Sequence, residues 1–324
     1  MRRLLLATAL LLTACATPEM AVTPTLPLSV PAPVPTQMQV PPEIPVERRT
    51  DCRAEQSYRP QGPLPAPEQL PAGSAMLRIR EKGKIVVGVG NAYLLSFRDP
   101  GTGQVRGFEA ALAEEIAHAI FGGDRAKAAD HVQYRVTDAA DRIPALRTDR
   151  VDLVLSSMTM TCERWQEVAF SAEYYSSQQR LLVHHDSGID DLGRLGGRKV
   201  CASRTSTNLR PIAEHPAKPI PVAAANTADC LLLLQQGQVD AVSTGDIILA
   251  GLAAQDPTTR IVGPQLRSDP TGIAIAQHRL DLVRFVNAVL ERVVADGTWR
   301  QLQRTWLADQ LGPAEPPALQ YRPE

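Results

Sequence analysis

Short apolar runs that end in small polar residues, each followed by a stretch of helical period, constrain this chain more than any other feature. The first is KIVVGV at 84–89, bounded by Gly83 and Gly90. Similar runs stand at 131–136, 151–155, 181–185, 198–203 and 239–243, with shorter ones at 221–223, 261–262 and 272–275. Between them Phe108, Leu112, Ile116 and Ile120 recur at helical spacing, and Leu282, Phe285, Val286, Val289 and Val293 form a second apolar stripe. Strand and helix in alternation predict a parallel sheet covered by helices, with ligands taken at the C-terminal ends of the strands. Residues 173–179 and 267–271 lack a clear period. The first reads as a crossover between lobes, the second as irregular, and 272–275 as a return to the first lobe.

The N-terminus, MRRLLLATALLLTAC, has a short basic region, an apolar run from Leu4 to Leu12 and small residues before Cys15. That run is too short to cross roughly 30 Å of hydrocarbon, so residues 1–14 are expected to be an export signal. Leu12-Thr13-Ala14-Cys15 resembles the bacterial lipobox, which implies that Cys15 is lipidated and anchors a soluble protein to the outer face of a membrane. An ordinary secretory signal with a cysteine at its cleavage site is the alternative. Residues 16–71 hold 14 of the 27 prolines. A disordered, extended tether is expected over 15–73, because such a segment buries too little surface to offset its ordering entropy. A loose tail is expected over 311–324.

The 34 basic and 35 acidic residues nearly cancel, so no nucleic acid or other polyanion is implied as a partner. With Cys15 assigned, Cys52, Cys162, Cys201 and Cys230 remain. An even number in an exported chain favours disulfides over free thiols, and the lack of a C-x-x-C pair or His/Cys cluster speaks against a metal site. Three pairings are possible. Cys201 and Cys230 lie in one continuous α/β segment and are the preferred pair, which leaves Cys52 to staple the end of the tether beside Cys162.

The segment SSMTMTCERWQEVAFS at 156–171 leaves the apolar run 151–155 and carries hydroxyls two apart, Ser157, Thr159 and Thr161, up to Arg164. Residues two apart on an extended chain share a face. A row of hydroxyls ending at a guanidinium suits a carboxylate, which takes two parallel hydrogen bonds from the planar fork of arginine. Thr205, Ser206, Thr207 and Asn208 follow another strand and precede a helix, where hydroxyls and free amides favour an anion. Asp246, after the strand 239–243, is placed either to bind an ammonium group or to cap a helix.

Taken together, KIVVGV, SFRDPGTGQVRGFEAALAEEIA at 96–117, DRIPAL at 141–146, VDLVLSSMTMTCERWQEVAFSAEYY at 151–175, KVCASRTST at 199–207, VDAVSTGDIILAG at 239–251 and FVNAVLERVVADGTW at 285–299 resemble the family 3 extracellular solute-binding proteins. The resemblance spans about 74–310 and comes nearest to the actinobacterial glutamate/glutamine-binding lipoproteins of ABC transporters. It implies a two-lobed, type 2 periplasmic-binding-protein fold with two hinge strands. Lobe one would be 74–175 plus 272–310, and lobe two 176–271. The resemblance matches Arg164 to the arginine that grips the ligand's α-carboxylate, Ser157 and Thr159 to the groups before it, and Thr207 to the lobe-two helix start that also touches the carboxylate. Arg142 matches a position that receives a side-chain carboxylate, and Tyr93 an aromatic wall. Gly90 and Gly245 stand where relatives carry acidic residues for the ammonium group, with Asp246 one residue late. Thr205 replaces a usual glycine.

The function so implied is capture of a polar amino acid, glutamate or a relative, by a lipid-anchored extracytoplasmic monomer that delivers it to an ABC permease. An amino-acid-sensing lipoprotein docked on a transmembrane receptor is the alternative. A degenerate binder that has lost its ligand is a third reading. No cofactor is implied, and no nucleophile–base constellation suggests an enzyme.

Overall fold

A computed structural model describes residues 33–35, 38–46 and 52–323. Cys15, the export signal 1–14 and much of the expected tether lie outside the described residues. The helix α1 (Ala75–Glu81), N-capped by Ser74, leads into β1 (Ile85–Val89). A two-stranded ribbon, β2 (Phe97–Arg98) and β3 (Val105–Arg106), precedes α2 (Phe108–Phe121). Then come β4 (Val132–Val136), α3 (Arg142–Arg147), β5 (Leu153–Leu155) and α4 (Cys162–Trp165). The long strand β6 (Val168–His184) is followed by β7 (Lys199–Ser203), α5 (Leu209–Ala213), β8 (Ile220–Ala224), α6 (Thr227–Gln235), β9 (Ala241–Gly245) and α7 (Asp246–Gln255). A second long strand, β10 (Thr259–Ala276), returns to α8 (Leu280–Ala295), α9 (Thr298–Trp306) and α10 (Ala308–Leu311).

The strands form one eight-stranded sheet in the order β4-β1-β5-β10-β6-β9-β7-β8, with β2 and β3 apart from it. β1 pairs in parallel with β4 and β5, and β7 in parallel with β8 and β9. Between these groups β6 and β10 run antiparallel, paired from Thr259–His184 to Ala276–Val168. They are the two hinge strands. The expected crossover at 173–179 lies within β6, and the irregular stretch at 267–271 lies within β10. Neither has an apolar rhythm, because each is ordered by its partner strand rather than by one buried face.

Each lobe has its own core. In the first, α2, α8 and α9 close over β1 and β5, and Trp299 packs edge-on against Phe108 at 5.9 Å. In the second, alternation splits the sheet into two faces: Leu181, Val183, Val200 and Ala202 on one, Leu182, Cys201, Val222 and Val242 on the other. The structure joins Cys201 to Cys230 and Cys52 to Cys162, the pairs read from the sequence. Among the described residues no helix is long and apolar enough to cross a membrane.

The tether and tail are more structured than expected. Gln39 bridges Ala223 at the free edge of β8, Met38 and Ile44 pack on the second lobe, and Pro45 O accepts from Arg210 Nη2 at 3.1 Å. From Cys52 onward the chain lies on the first lobe. Ser57 is fully buried, donating to Phe170 O at 2.6 Å and accepting from Asn287 Nδ2 at 2.8 Å. The C-terminal segment closes over it: Ser57 bridges Tyr321, and the Arg322 guanidinium sits 4.0 Å from the Trp165 ring centre. Prolines do not prevent this, since a strap needs only a few anchoring side chains and no continuous backbone ladder.

Candidate ligand-binding cleft

The end of β5 feeds the cleft through three hydroxyls that the fold sends to three different tasks. Ser157 sits at φ 44°, a left-handed turn, with its N and Oγ donating to Glu109 Oε1 at 2.7 and 2.9 Å. Tyr174 OH donates to the same oxygen, so Glu109 holds the turn. Thr159 pairs with Thr271 of β10 and turns its hydroxyl into the cleft. Thr161 caps α4, accepting from Arg164 N at 3.3 Å. The row is therefore not one continuous extended face, because the chain turns at Ser157 to reach β10.

Arg164 donates from Nη1 to Thr159 O at 2.6 Å. Together with Thr159, Ser206, Thr207, Asn208 and Asp269 it surrounds a small chamber of about 40 Å³ between the lobes. Among the described residues, Ser206 Oγ is buried with no hydrogen-bond partner beside that space. Thr207 Oγ1 lies 3.4 Å from Thr159 Oγ1, so the two lobes meet here. They meet again where Gly251 of α7 packs on the Tyr93 carbonyl; a Cβ at Gly251 would lie 2.2 Å from that oxygen.

Past Arg142 and Ser157 the small chamber continues into a larger one of about 350 Å³, lined by Thr137, Asp138, Arg142, Asn226 and Asp229 among others. Burial lowers the Arg142 guanidinium while Glu109, Tyr174 and Asp138 draw it back up, and its Nε has no partner. Burial and the facing Asp138 raise the Asp229 carboxyl. One chamber thus offers a point for a carboxylate, and the other offers donors and acceptors together.

A profile of the bacterial extracellular solute-binding proteins, family 3, matches residues 85–309. The chain belongs to that family. Its relatives are solute-binding proteins and not enzymes. This one is 33% identical over 239 residues to the ABC transporter glutamine-binding protein GlnH of Bacillus subtilis (strain 168), covering 73% of this chain and 85% of that one. It is 32% identical over 202 residues to the glutamine-binding protein of Geobacillus stearothermophilus, covering 62% and 75%. An ancestral arginine-binding protein bound to glutamine matches its structure with a TM-score of 0.62 at 29% identity, over 69% of this chain and 98% of the other.

Of the residues singled out from the sequence, this family 3 protein brings Arg164, Thr159, Ser157, Arg142 and Thr207 to the cleft. Two go elsewhere. Tyr93 is 37% exposed, tilted against Phe97 with ring centres 4.6 Å apart, and is not among the lining residues. Asp246 Oδ1 accepts from Ser177 Oγ, Gln178 N and Ile247 N at 2.9, 3.2 and 2.8 Å, which ties it to the hinge strand. Thr205, in the place of a usual glycine, takes φ 60°, the conformation a glycine there would adopt without strain. Ser206 and Asn208, read at the anion-favouring helix start, also line the cleft, whereas sequence reading missed Asp269, Asp138, Asn226 and Asp229. Asp269 had one signal, its position just before the returning strand, and the lack of period around it hid that.

Proposed function

We propose that this family 3 protein captures an amino acid of the size and polarity of glutamate or glutamine and hands it to an ABC importer, held at the outer face of the membrane by lipid on Cys15. The carrying observation is the convergence of Arg164, Thr159, the unpartnered Ser206 and Thr207 on one small chamber that opens into a larger polar one. The guanidinium and hydroxyls suit an α-carboxylate. The side chain then passes Arg142 into the larger chamber. There Arg142 supplies donors and Asp138 and Asp229 supply acceptors, a mixture that satisfies both ends of a carboxamide. The names of the two glutamine-binding relatives support the same reading.

Titration calorimetry on protein unfolded and refolded to strip carried ligand tests it. L-glutamine and L-glutamate are expected to bind with 1:1 stoichiometry, and apolar amino acids not to bind. Absence of binding by every acidic, amide and basic amino acid would remove the amino-acid reading.

A further inference from the structure

The cleft contains a carboxylate that neither the resemblance nor the relatives assign. Family resemblance places ammonium-binding acids at the positions of Gly90 and Gly245, and here both are glycines with little space for a side chain. A Cβ at Gly245 would lie 2.4 Å from Ser177 Oγ, and that hydroxyl is fixed by its bond to Asp246 at 2.9 Å. A Cβ at Gly90 would lie 2.9 Å from Ser156 Oγ. The other nearby acids are committed. Glu109 holds the Ser157 turn, Asp246 holds the hinge, and Asp138 and Asp229 line the larger chamber.

Among the described residues, Asp269, on β10, is the one carboxylate lining the small chamber that holds Arg164. It is 4% exposed. Its Oδ2 accepts from Asn208 Nδ2 at 3.0 Å, and Oδ1 faces Thr159 Oγ1 at 3.4 Å and Arg267 Nε at 3.6 Å. A carboxylate has about four acceptor positions, so capacity remains toward the chamber. An α-amino acid presents its two charges on one carbon, and a receptor must therefore offer opposite charges side by side. Thr159 links such a pair here, its carbonyl on Arg164 and its hydroxyl on Asp269.

We propose that Asp269 is the α-ammonium acceptor of this protein, supplying from the hinge strand the contact that Gly245 lacks. The inference rests on the amino-acid reading given above. It makes the ligand's ammonium part of the specificity, through a residue that both lobes share.

The test is a cycle between ligand and protein. L-glutamine and L-glutamate are titrated into wild type, Asp269→Asn and Asp269→Glu, alongside 4-carbamoylbutanoate and glutarate, which lack only the amino group. Asp269→Asn is expected to weaken the amino acids by roughly 100-fold while changing the desamino analogues by less than about 3-fold. Asp269→Glu, which keeps the charge, is expected to retain a preference for the amino ligands. Retained binding of the desamino analogues also reports a folded cleft. Equal losses on both ligand classes, or wild-type affinity in Asp269→Asn, overturn the Asp269 assignment alone. Wild type that binds none of the amino acids overturns the parent reading with it.

Discussion

Burial pushes the Arg164 guanidinium down to about 10, with Arg142 and Arg267 adding to the fall and Asp269 opposing it. Folding therefore weakens its hold on a proton, and below about pH 10 the guanidinium keeps its charge in the empty protein at a cost in stability. The unfolded chain binds the extra proton more readily, so this residue makes stability rise as pH climbs from about 10 toward the ordinary arginine range. At neutral pH the charge is a burden that an incoming carboxylate relieves. Arg164→Gln is expected to lower ligand affinity by about 100-fold or more, since truncating one partner of a buried charge pair costs about 2–5 kcal/mol. The empty variant is expected to unfold at the same urea concentration as wild type or higher. A loss of more than about 1 kcal/mol in the empty state would instead make Arg164 a structural residue. The position of Arg164 at the cleft was legible from sequence because the segment leaving a strand's C-terminal end faces the ligand side of such a sheet. Asp269 was not, since its role depends on which neighbours leave Gly245 no space, and Ser177 is 68 positions away in sequence.

At the scale of elements, what holds Arg164 in place is the strap and not α4 alone. α4 is four residues long and has little stability of its own. It is pinned by the Cys52–Cys162 disulfide at its start, by Trp165 Nε1 donating to Ala54 O at 2.7 Å, and by Arg322 over the Trp165 ring. The disulfide joins residues 110 apart, a span for which chain-entropy reasoning gives stabilisation of up to about 5 kcal/mol. The double variant Cys52→Ser, Cys162→Ser is expected to lose about 2–4 kcal/mol in urea unfolding. Its ligand affinity should fall as well, because α4 loses its anchor. Wild-type stability in that variant would mean that the strap's other contacts suffice. Helices with an apolar stripe, such as α2 and α8, were readable because one buried face imposes its period. β6 and β10 were not readable as single strands. Their residues at the hinge answer to each other and to the cleft, and the register of β10 shifts at Val262/Arg267, Thr271/Gly272 and Gly272/Ala274.

At the scale of the whole molecule, the two lobes share only β6 and β10 as strands, yet they touch at Thr159–Thr207 and at Gly251–Tyr93. A chamber of about 40 Å³ between them leaves little room for an α-carboxylate, so ligand entry is expected to part the lobes. The register shifts in β10 are where such bending costs least, since the ladder is already interrupted there. The strap limits the movement. Val46 lines an opening beside Arg164 on one side, Cys52 is bonded to the first lobe on the other, and the six peptide steps between them reach about 20 Å at most. Ligand that binds across the cleft favours the closed arrangement by its differential affinity. Solution scattering should show a smaller radius of gyration with saturating ligand than without. Closure should also raise thermal stability by mass action, about 2.7 kcal/mol at a ligand concentration of 100 Kd, which for a folded region of this size is about 5–10 °C in Tm. Arg164→Gln should show neither response at the same concentration. A Tm increase without contraction would mean that ligand binds a cleft already shut in solution, and that β6 and β10 act as a rigid frame instead of a hinge.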